Sequence, residues 1–414
     1  MKQKIVIIGH GYTSRLGIIR SLASLDCEIT VIAIVFRSKM GRLVRFQLGN
    51  PIDCYSKYVK SVFTCRGGDE KGLVDLLLNR CSDPRQKVII IPDSDYSAAV
   101  VDKYHKELGE RFLYPCIPGH PGEVEHWMDK TVQKSLALEV GLNVAGGHVI
   151  SARNRSYVIP EGIEYPCFTK PLATIKGGKS FLRKCNGEKD LKSVMDRFCV
   201  SFDGDILAED YKTIEKEYAV VGFSDGKSVI MPGIIEFIEN SKSHFGIARE
   251  GKILPVAGFE GIVDQFKRFI LRIGFYGLFD IDFYQSGGKL YFGELNLRFG
   301  GSGYSYTAMG ANLPLMFVRS LLGEGLDGMN MEVKEEATYV NERMCMDDYL
   351  KGFIDEKEFR EIISKRDIRF IDDESDPVPY RRMNKEFRIL KLKRLRLQIK
   401  RRVSRARAQL AHGK

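Results

Sequence analysis

Residues 280–298 read DIDFYQSGGKLYFGELNLR, two runs of alternating apolar and polar residues around the Gly-rich segment 286–288. Such a segment between alternating runs is typical of a β-hairpin. Alternate residues of a strand point to the same face of its sheet. The second run therefore presents three polar side chains together, Glu294, Asn296 and Arg298.

The first run of the hairpin adds a carboxylate. Pairing across the turn brings Asp280 or Asp282 alongside Glu294, and the pattern leaves open which of the two. Carboxylate and amide oxygens are ligands that Mg²⁺ prefers, and a guanidinium suits phosphate. The hairpin therefore predicts a site for magnesium and a nucleotide. The alternative is the ordinary solvent face of an antiparallel sheet.

Two lysines upstream favour the nucleotide site. Lys130 stands at a predicted helix start, and Lys170 lies in the strand-like segment 167–171, CFTKP. The neighbours of Lys170 indicate a partly buried ammonium group, which needs an anion beside it. The loop 174–180, TIKGGKS, follows, and its amides are suited to close over a triphosphate. A plain surface turn is the alternative for this loop.

These segments, with two further ones that end or begin strands in acidic residues, resemble the ATP-grasp superfamily in their order and spacing. The resemblance covers roughly residues 1–325. The segments that carry it are Asp129-Lys130, Phe168-Thr169-Lys170-Pro171, the glycine loop, Ala208-Glu209-Asp210-Tyr211, Glu217 and Glu294-Leu295-Asn296-Leu297-Arg298.

The resemblance implies a role for each of these residues. Lys130 and Lys170 contact the ATP phosphates, and Arg298, together with Lys170, serves the transferring phosphoryl group. The remaining nucleotide contacts are Gly177, Gly178 and Ser180 over the phosphates, Glu209 and Tyr211 at the adenine, and Glu217 at the ribose. The ligands of Mg²⁺, or of Mn²⁺, are Asp282, Glu294 and Asn296. Asp282 is chosen over Asp280 by its place in an Asp-Phe pair.

Two departures from the family pattern leave every ligand in place. Leu297 stands where many relatives have Pro, and Lys176 and Lys179 add charge to the loop. Within the superfamily, the run 300–303, GGSG, is similar to carbamoyl-phosphate-synthase-like members and unlike biotin carboxylases, which disfavours carboxylation. A weaker similarity, at 91–95 and 128–130, is to D-aspartate ligases.

The N-terminal part alternates strands and helices. Continuous apolar runs at 4–8, 29–35 and 88–91 predict buried strands, and helical spacing predicts helices at 16–25 and 96–108. The order indicates an open parallel sheet.

The turn after the first strand, Gly9-His10-Gly11, invites a dinucleotide-binding interpretation. Ser14 replaces the third glycine of that motif, however, and no acid ends the second strand. Glycines that allow a tight strand-to-helix turn are the better explanation. Asp93 and Asp95 follow the strand at 88–91, where ligands often bind, but two acids on a loop are common.

The predicted fold class is α/β: an N-terminal parallel-sheet domain, a two-subdomain ATP-grasp α+β clamp and a basic helical tail. A Pro- and Gly-rich run at 115–121 marks the first boundary, after which a helix at 123–140 is expected. The expected parts are an N-terminal α/β domain at 1–115, the ATP-grasp domain at 116–325, a C-terminal extension at 326–379 and the tail at 380–414.

Composition places the chain among folded proteins. With 414 residues, 44% of them hydrophobic and 29% charged, two or three packed units are expected. The nine cysteines are scattered without a Cys-x-x-Cys pair, which predicts reduced thiols in a cytosolic protein. The apolar run at 5–8 is too short for a secretion signal.

Charge is concentrated in the tail. Residues 380–414 contain 14 Lys or Arg and the single acid Glu386, a net charge of +13, while the other 379 residues carry −3. A nearly neutral body makes nucleic acid an unlikely partner. Apolar residues at 392, 395, 399, 403, 406 and 410 recur at helical spacing among the cations, which favours docking on an anionic membrane surface. A helix packed on the body, and nucleic-acid binding through phosphates, are the alternatives.

The expected activity is an ATP-dependent carboxylate-amine ligase that makes an amide through an acyl phosphate, giving ADP and phosphate. Alternatives are a carboxylating or phosphoryl-transfer enzyme on the same fold, or a non-catalytic ATP-binding regulator. The expected location is the cytoplasm, at the inner face of the membrane if the tail docks there.

Overall fold

The computed structural model describes residues 2–36, 50–172, 181–244 and 246–412. Their strands form three sheets, one parallel and two essentially antiparallel. The predicted phosphate loop, with Gly177, Gly178 and Ser180, lies outside the described residues.

The first sheet is the predicted parallel sheet, with strand order β3-β2-β1-β4-β5. Its central strands are apolar on both faces because helices and the rest of the molecule cover both sides. The strands are β1 (Gln3–Gly9), β2 (Cys27–Val35), β3 (Val59–Arg66), β4 (Val88–Pro92) and β5 (Phe112–Leu113). The helices between them are α1 (Tyr12–Ser21), α2 (Glu70–Leu76), α3 (Asp95–Lys103) and α4 (His105–Leu108), with a 3-10 turn at Ile52–Tyr55 and a π turn at Leu77–Cys81.

The second sheet is small and antiparallel, with strand order β7-β6-β10-β8-β9. One face is covered by α7 (Glu188–Ser201), whose buried residues at 191, 194, 195, 198 and 199 follow helical spacing. The strands are β6 (Gly147–Arg153), β7 (Ser156–Tyr157), β8 (Cys167–Pro171), β9 (Arg183–Cys185) and β10 (Gly204–Asp210).

The third sheet is the largest, with strand order β16-β15-β11-β13-β14-β17-β18 and β12 beside β11. The predicted hairpin is its β15–β16 edge. The strands are β11 (Lys216–Asp225), β12 (Val229–Ile230), β13 (Ile234–Asn240), β14 (Ala248–Leu254), β15 (Tyr276–Ser286), β16 (Lys289–Asn296), β17 (Ala337–Val340) and β18 (Ile368–Arg369). The helices against one face are α5 (Val124–Trp127), α6 (Lys130–Glu139) and α8 (Glu260–Ile273).

The remaining helices follow the hairpin and join the first and third sheets in one apolar core. They are α9 (Tyr304–Ala308), α10 (Leu313–Leu321), α11 (Glu342–Lys351), α12 (Glu356–Ser364) and α13 (Val378–His412). The buried Arg20 of α1 donates to the carbonyl oxygens of Phe370, Ile371 and Asp376, so the C-terminal residues are fastened to the N-terminal sheet. In the described part of the chain, no helix combines the length and apolarity that a bilayer span requires.

The predicted fold class is confirmed, with two local corrections. The helix expected at 123–140 is two helices, because the side chain of Asp129 accepts from the backbone amides of Thr131 and Val132 and starts a new helix there. The helix expected at 96–108 is likewise interrupted at Tyr104. The boundaries expected at 115, 325 and 379 stay predictions.

Candidate active site

The hairpin pairs as the sequence predicts. In the register of β15 and β16, Asp280 lies opposite Asn296 and Asp282 lies opposite Glu294. Opposite residues of an antiparallel pair share a face. The four side chains therefore form one polar patch, and both aspartates belong to it.

Burial and like charge shape the protonation of this patch. Burial raises the pKa of Asp280, and the guanidinium of Arg298 only partly offsets it. Burial, followed by repulsion from Asp280 and Glu294, raises the pKa of Asp282 well above its usual range. The pKa of Glu294 is lowered, because Lys130, Lys170 and Arg298 outweigh its burial. The patch therefore crowds three carboxylates that disfavour one another's charge, an arrangement that a divalent ion would stabilise.

Arg298 is held by carboxylates of two sheets. Its Nη1 donates to Asp280 Oδ2 at 2.7 Å, and its Nε lies 3.3 Å from Oδ1 of Asp95. Burial alone would lower the pKa of Arg298, but these two acids raise that pKa by more than burial lowers it, so the guanidinium stays charged. Asp95 is the first residue of α3, which follows β4 of the parallel sheet. The parallel-sheet domain therefore forms one wall of the site.

Helix α6 places Lys130 beside strand β16. Its N-cap, Asp129, fixes where the helix starts, and the next residue, Lys130, forms an ion pair with Glu294. Gln133 fastens the same helix to β16, since its Nε2 donates to the carbonyl oxygen of Leu295 at 2.8 Å and its Oε1 accepts from the Leu295 amide at 3.0 Å. Leu295 separates Glu294 from Asn296, so Gln133 fixes the strand that carries both.

The second sheet presents a buried glutamate between two lysines. Glu209 on β10 forms ion pairs with Lys170 on β8 and Lys134 on α6. Burial alone would raise the pKa of Glu209, but Lys170 and Lys134 lower it. The anion expected beside Lys170 is therefore Glu209. Lys170 also lowers the pKa of Glu294 in the third sheet, so its ammonium group lies between the two sheets.

Glu217 and Tyr211 occupy the far part of the site. Glu217 on β11 lies opposite Tyr284, on the same face as Asp282, and accepts a hydrogen bond from Asn240 Nδ2. Tyr211 follows β10 with its ring 3.9 Å below the ammonium of Lys184. Tyr284 stacks on Tyr291 at 5.5 Å, and its pKa is raised by burial and by Glu209. Aromatic rings and Glu209 thus line this end.

The structure thus brings most of the predicted residues to one cleft between the second and third sheets. The residues described there are Lys130, Lys170, Glu209, Glu217, Asp282, Glu294, Asn296 and Arg298. The ring of Tyr211 lies against Lys184. The three predicted loop residues lie outside the described residues.

Three residues of the cleft were not predicted. Lys134 and Gln133 stand four and three residues after Lys130, which is the spacing of one helix face, and that spacing was available in the sequence. Asp95 received little weight because two acids on a loop are common; its partner, Arg298, is distant in sequence, and only the fold brings the two together.

The donor set fits magnesium only with help from a ligand. In residues 2–36, 50–172, 181–244 and 246–412, no group of three or more His, Cys, Asp or Glu is placed to hold a metal ion. The predicted set has two carboxylates and one amide. Mg²⁺ usually binds one or two carboxylates together with phosphate oxygens and water, so this set fits a metal that arrives with a nucleotide.

Comparison with solved structures identifies the fold. N5-carboxyaminoimidazole synthetase from Staphylococcus aureus, complexed with ADP, superposes with a TM-score of 0.60 over 87% of each chain at 19% identity. The biotin carboxylase domain of 2-oxoglutarate carboxylase from Hydrogenobacter thermophilus, in complex with MgADP, gives 0.60 over 82% of this chain and 74% of that one at 17% identity. The chain has an ATP-grasp fold.

Sequence relatives point the same way. This chain is 23% identical over 211 residues to the carbamoyl phosphate synthase large chain of Gemmatimonas aurantiaca, a match that covers 50% of this chain and 19% of the relative. That of Halomonas eurihalina is 24% identical over 188 residues, or 17% of its length. The chain therefore spans about a fifth of the curated relatives it matches. No family model matches it.

Proposed function

We propose that this chain is an ATP-dependent carboxylate-amine ligase that forms an amide through an acyl phosphate and releases ADP and phosphate. One observation carries the proposal: three crowded carboxylates on β15 and β16, Asp280, Asp282 and Glu294, lie beside the three cations Lys130, Lys170 and Arg298. Cations for phosphate and oxygen donors for a divalent ion are what phosphoryl transfer to a carboxylate requires.

Each side chain has a defined task in this proposal. Lys130 and Lys170 exchange their ion pairs with Glu294 and Glu209 for phosphate oxygens, and Arg298 stabilises the charge of the transferring group. Glu209 and Tyr211 face the base, and Glu217 faces the ribose. Asp282, Glu294 and Asn296 would hold Mg²⁺, which neutralises phosphate charge when it is bound. Gly177, Gly178 and Ser180 are assigned to the phosphates from the sequence alone.

The carboxylating alternative is compatible with the structural relatives, two of which are a carboxyaminoimidazole synthetase and a biotin carboxylase domain. Amide formation is preferred because the sequence relatives are carbamoyl phosphate synthases and because of the glycine run at 300–303. A bicarbonate-dependent release of ADP without any added organic carboxylate would favour the alternative.

Product analysis tests the proposal. The protein is incubated with Mg·ATP and pools of amino acids and sugar acids, with ammonium or amino acids as amines, and nucleotide products are separated. We expect ADP and phosphate whose release depends on a carboxylate, and a release ~10²-fold or more lower from the Glu294→Ala variant. AMP and pyrophosphate would contradict the acyl-phosphate route, and ATP binding without any turnover would support the regulator.

We also propose that the tail holds the enzyme at the inner face of the cytoplasmic membrane. The first turns of α13 pack on the body, where Met383 is buried and Phe387 stacks on Phe359 at 5.2 Å. Further along, Leu392 is 57% exposed among cations. An exposed apolar residue beside basic ones gains from burial at an anionic surface.

Co-sedimentation with anionic vesicles tests the tether. We expect the intact protein to sediment with vesicles that contain phosphatidylserine, and a variant that ends at residue 390, and so lacks Leu392 and the cations around it, to stay in solution with unchanged ATP turnover. This truncation keeps the turns that pack on the body, and phosphatidylcholine vesicles are the control. Equal sedimentation of both proteins would contradict the tether.

A further inference from the structure

A strand of the expected C-terminal extension reaches the candidate active site. Strand β17 pairs with β14 on one side and with β18 on the other, and it carries Tyr339, whose side chain is fully buried. Oη of Tyr339 lies 3.0 Å from Oγ of Ser302, which follows Arg298 by four residues. The roles proposed above for the nucleotide and the metal use neither hydroxyl group.

The ring of Tyr339 is fixed in position by its surroundings. It stacks on the ring of Phe370, with 4.8 Å between the ring centroids and 14° between the ring planes. It also fills the space at Gly251, its partner in the register of β14 and β17, where a Cβ atom would lie 2.4 Å from the ring. Glu342 accepts a hydrogen bond from the backbone amide of Phe370 and so holds the stacking partner. The phenol oxygen therefore reaches Ser302 without further ordering of the side chain.

The hydroxyl group of Tyr339 keeps its proton. Burial raises the pKa of Tyr339, and the charges of Asp280 and Asp282 raise it as well, although the hydrogen bond with Ser302 opposes them. The two aspartates therefore lie within electrostatic reach of the phenol. An uncharged phenol can donate its proton to Oγ of Ser302, and a pair of hydroxyl groups adds no charge to carboxylates that already repel one another.

Ser302 belongs to the turn that leads from β16 to α9. A hydrogen bond of 3.1 Å from the amide of Gly303 to the carbonyl oxygen of Gly300 closes this turn, with Ser302 at its third position. Gly300 packs so closely on Asp280 that a Cβ atom there would lie 2.7 Å from Cγ of the aspartate. Asp280 in turn accepts the hydrogen bond from Arg298 at 2.7 Å. A chain of contacts thus runs from β17 through the turn to the guanidinium.

We propose that Tyr339 and Ser302 are positioning residues of the ligase. Their hydrogen bond holds the turn at 300–303 against Asp280, and Asp280 keeps Arg298 beside the group that is transferred. The inference rests on the proposed function, and it gives neither hydroxyl a contact with the reacting atoms. The two lysines assigned to the ATP phosphates lie outside this chain of contacts, so the pair acts on the rate of phosphoryl transfer and not on ATP binding.

Two single substitutions and their combination test this role. Tyr339→Phe keeps the ring and its stack and removes only the hydroxyl group. Ser302→Ala removes the partner at a half-buried position, so it decides the question if Tyr339→Phe folds poorly. For each protein, kcat and KM for Mg·ATP are measured from ADP release with the carboxylate and amine pools. The free energy of unfolding is measured by chemical denaturation.

We expect kcat to fall by about 10-fold in each variant, because one hydrogen bond that positions the turn is lost. KM for ATP should change by less than about 2-fold. The double variant should fall no further than either single variant, because all three lose the same hydrogen bond. The matched control is Tyr276→Phe, which also breaks a hydroxyl pair between a tyrosine and a serine, with Ser320 at 2.6 Å, and which should keep the wild-type kcat.

Four results would contradict the inference. A wild-type kcat in Tyr339→Phe and Ser302→Ala would overturn it, since the pair would then only stabilise the fold. A rise in KM that accounts for the loss of activity, losses that add up in the double variant, and an equal loss of kcat in the control would each overturn it too. If the wild type releases no ADP under any of these conditions, the proposed function fails and the inference fails with it.

Discussion

Two arginines of this chain, the buried Arg15 and the half-buried Arg298, lie between pairs of aspartates in surroundings that differ. Arg15, in the parallel sheet, is enclosed by Asp53, Asp93 and the carbonyl of Gly9, with no exposed side-chain surface. Arg298, at the end of β16, contacts Asp280 and Asp95, and its side chain is 19% exposed. The same ion-pair chemistry thus occurs once in a closed interior and once at a cleft.

The difference separates a structural charge from a functional one. Around Arg15, the buried guanidinium donates to the carbonyl oxygen of Gly9 and fixes the turn there. Around Arg298, three carboxylates of the hairpin crowd together at a partly exposed position. Carboxylates that repel one another in the ligand-free protein favour the binding of a cation. Here that cation would be a divalent ion that arrives with the nucleotide.

The largest expected effect is on folding and belongs to the closed region. Arg15→Met leaves Asp53 and Asp93 buried without their cation, so the free energy of unfolding should fall by about 3–5 kcal/mol. Chemical denaturation measures this. The control Lys60→Met removes an exposed pair with Glu28 and should change stability by about 1 kcal/mol or less. Similar losses in the two variants would erase the contrast between the regions.

The next effect is on catalysis and belongs to the open region. Glu294→Ala and Asn296→Ala each remove an oxygen ligand that positions the transferring phosphate, so turnover should fall by ~10²-fold or more while the fold persists. ADP release and circular dichroism are measured together. The exposed Glu336→Ala is the control. Near-native ADP production at saturating magnesium would identify the strand as an ordinary sheet face.

A third effect appears in the pH dependence of stability. Burial, partly offset by Arg15, raises the pKa of Asp93 to about 7, from 3.8. A raised pKa means that the folded state holds this proton more tightly than the unfolded chain does. The group therefore favours folding at low pH, and this contribution is lost as pH rises from about 4 through about 7.

Asp93→Asn removes that titration. The loss of unfolding free energy between about pH 5 and about pH 8 should be smaller in the variant than in the wild type by about 2 kcal/mol. Denaturation at both pH values measures this, with the exposed Asp26→Asn as control. Parallel pH curves for wild type and Asp93→Asn would show that Arg15 keeps Asp93 ionised throughout.

The smallest effect concerns Lys134, which holds Glu209 without a nucleotide contact of its own in the proposal. Lys134→Ala should weaken binding of an ATP analogue by about 10-fold, because Glu209 loses one of the two cations that fix it. Calorimetric titration measures this, and Lys192→Ala, on an exposed face of α7, is the control. Unaltered affinity would leave Lys170 as the sole anchor of Glu209.

The sequence by itself determined the local features of this protein. Alternation and a Gly-rich turn placed Glu294 and Asn296 on one face of a hairpin, and continuous apolar runs indicated a parallel sheet, because both signals depend only on the period of a strand. The ordered segments from Lys130 to Arg298 carried the ATP-grasp resemblance. The helical spacing after Lys130 also indicated Gln133 and Lys134 as residues on the same helix face, although neither was predicted as a site residue.

Only the tertiary structure decided which distant groups meet. Arg298 contacts Asp95, 203 positions earlier, and Glu209 stands between Lys134 and Lys170, because the three sheets converge on one cleft. Sequence periodicity fixes the face on which a residue lies, but it carries no information about which other face packs against it. The same limit explains why the sequence could not tell apart the roles of Asp93 and Asp95, which lie two residues apart. Asp93 is enclosed with Arg15, whereas Asp95 contacts Arg298 at the cleft.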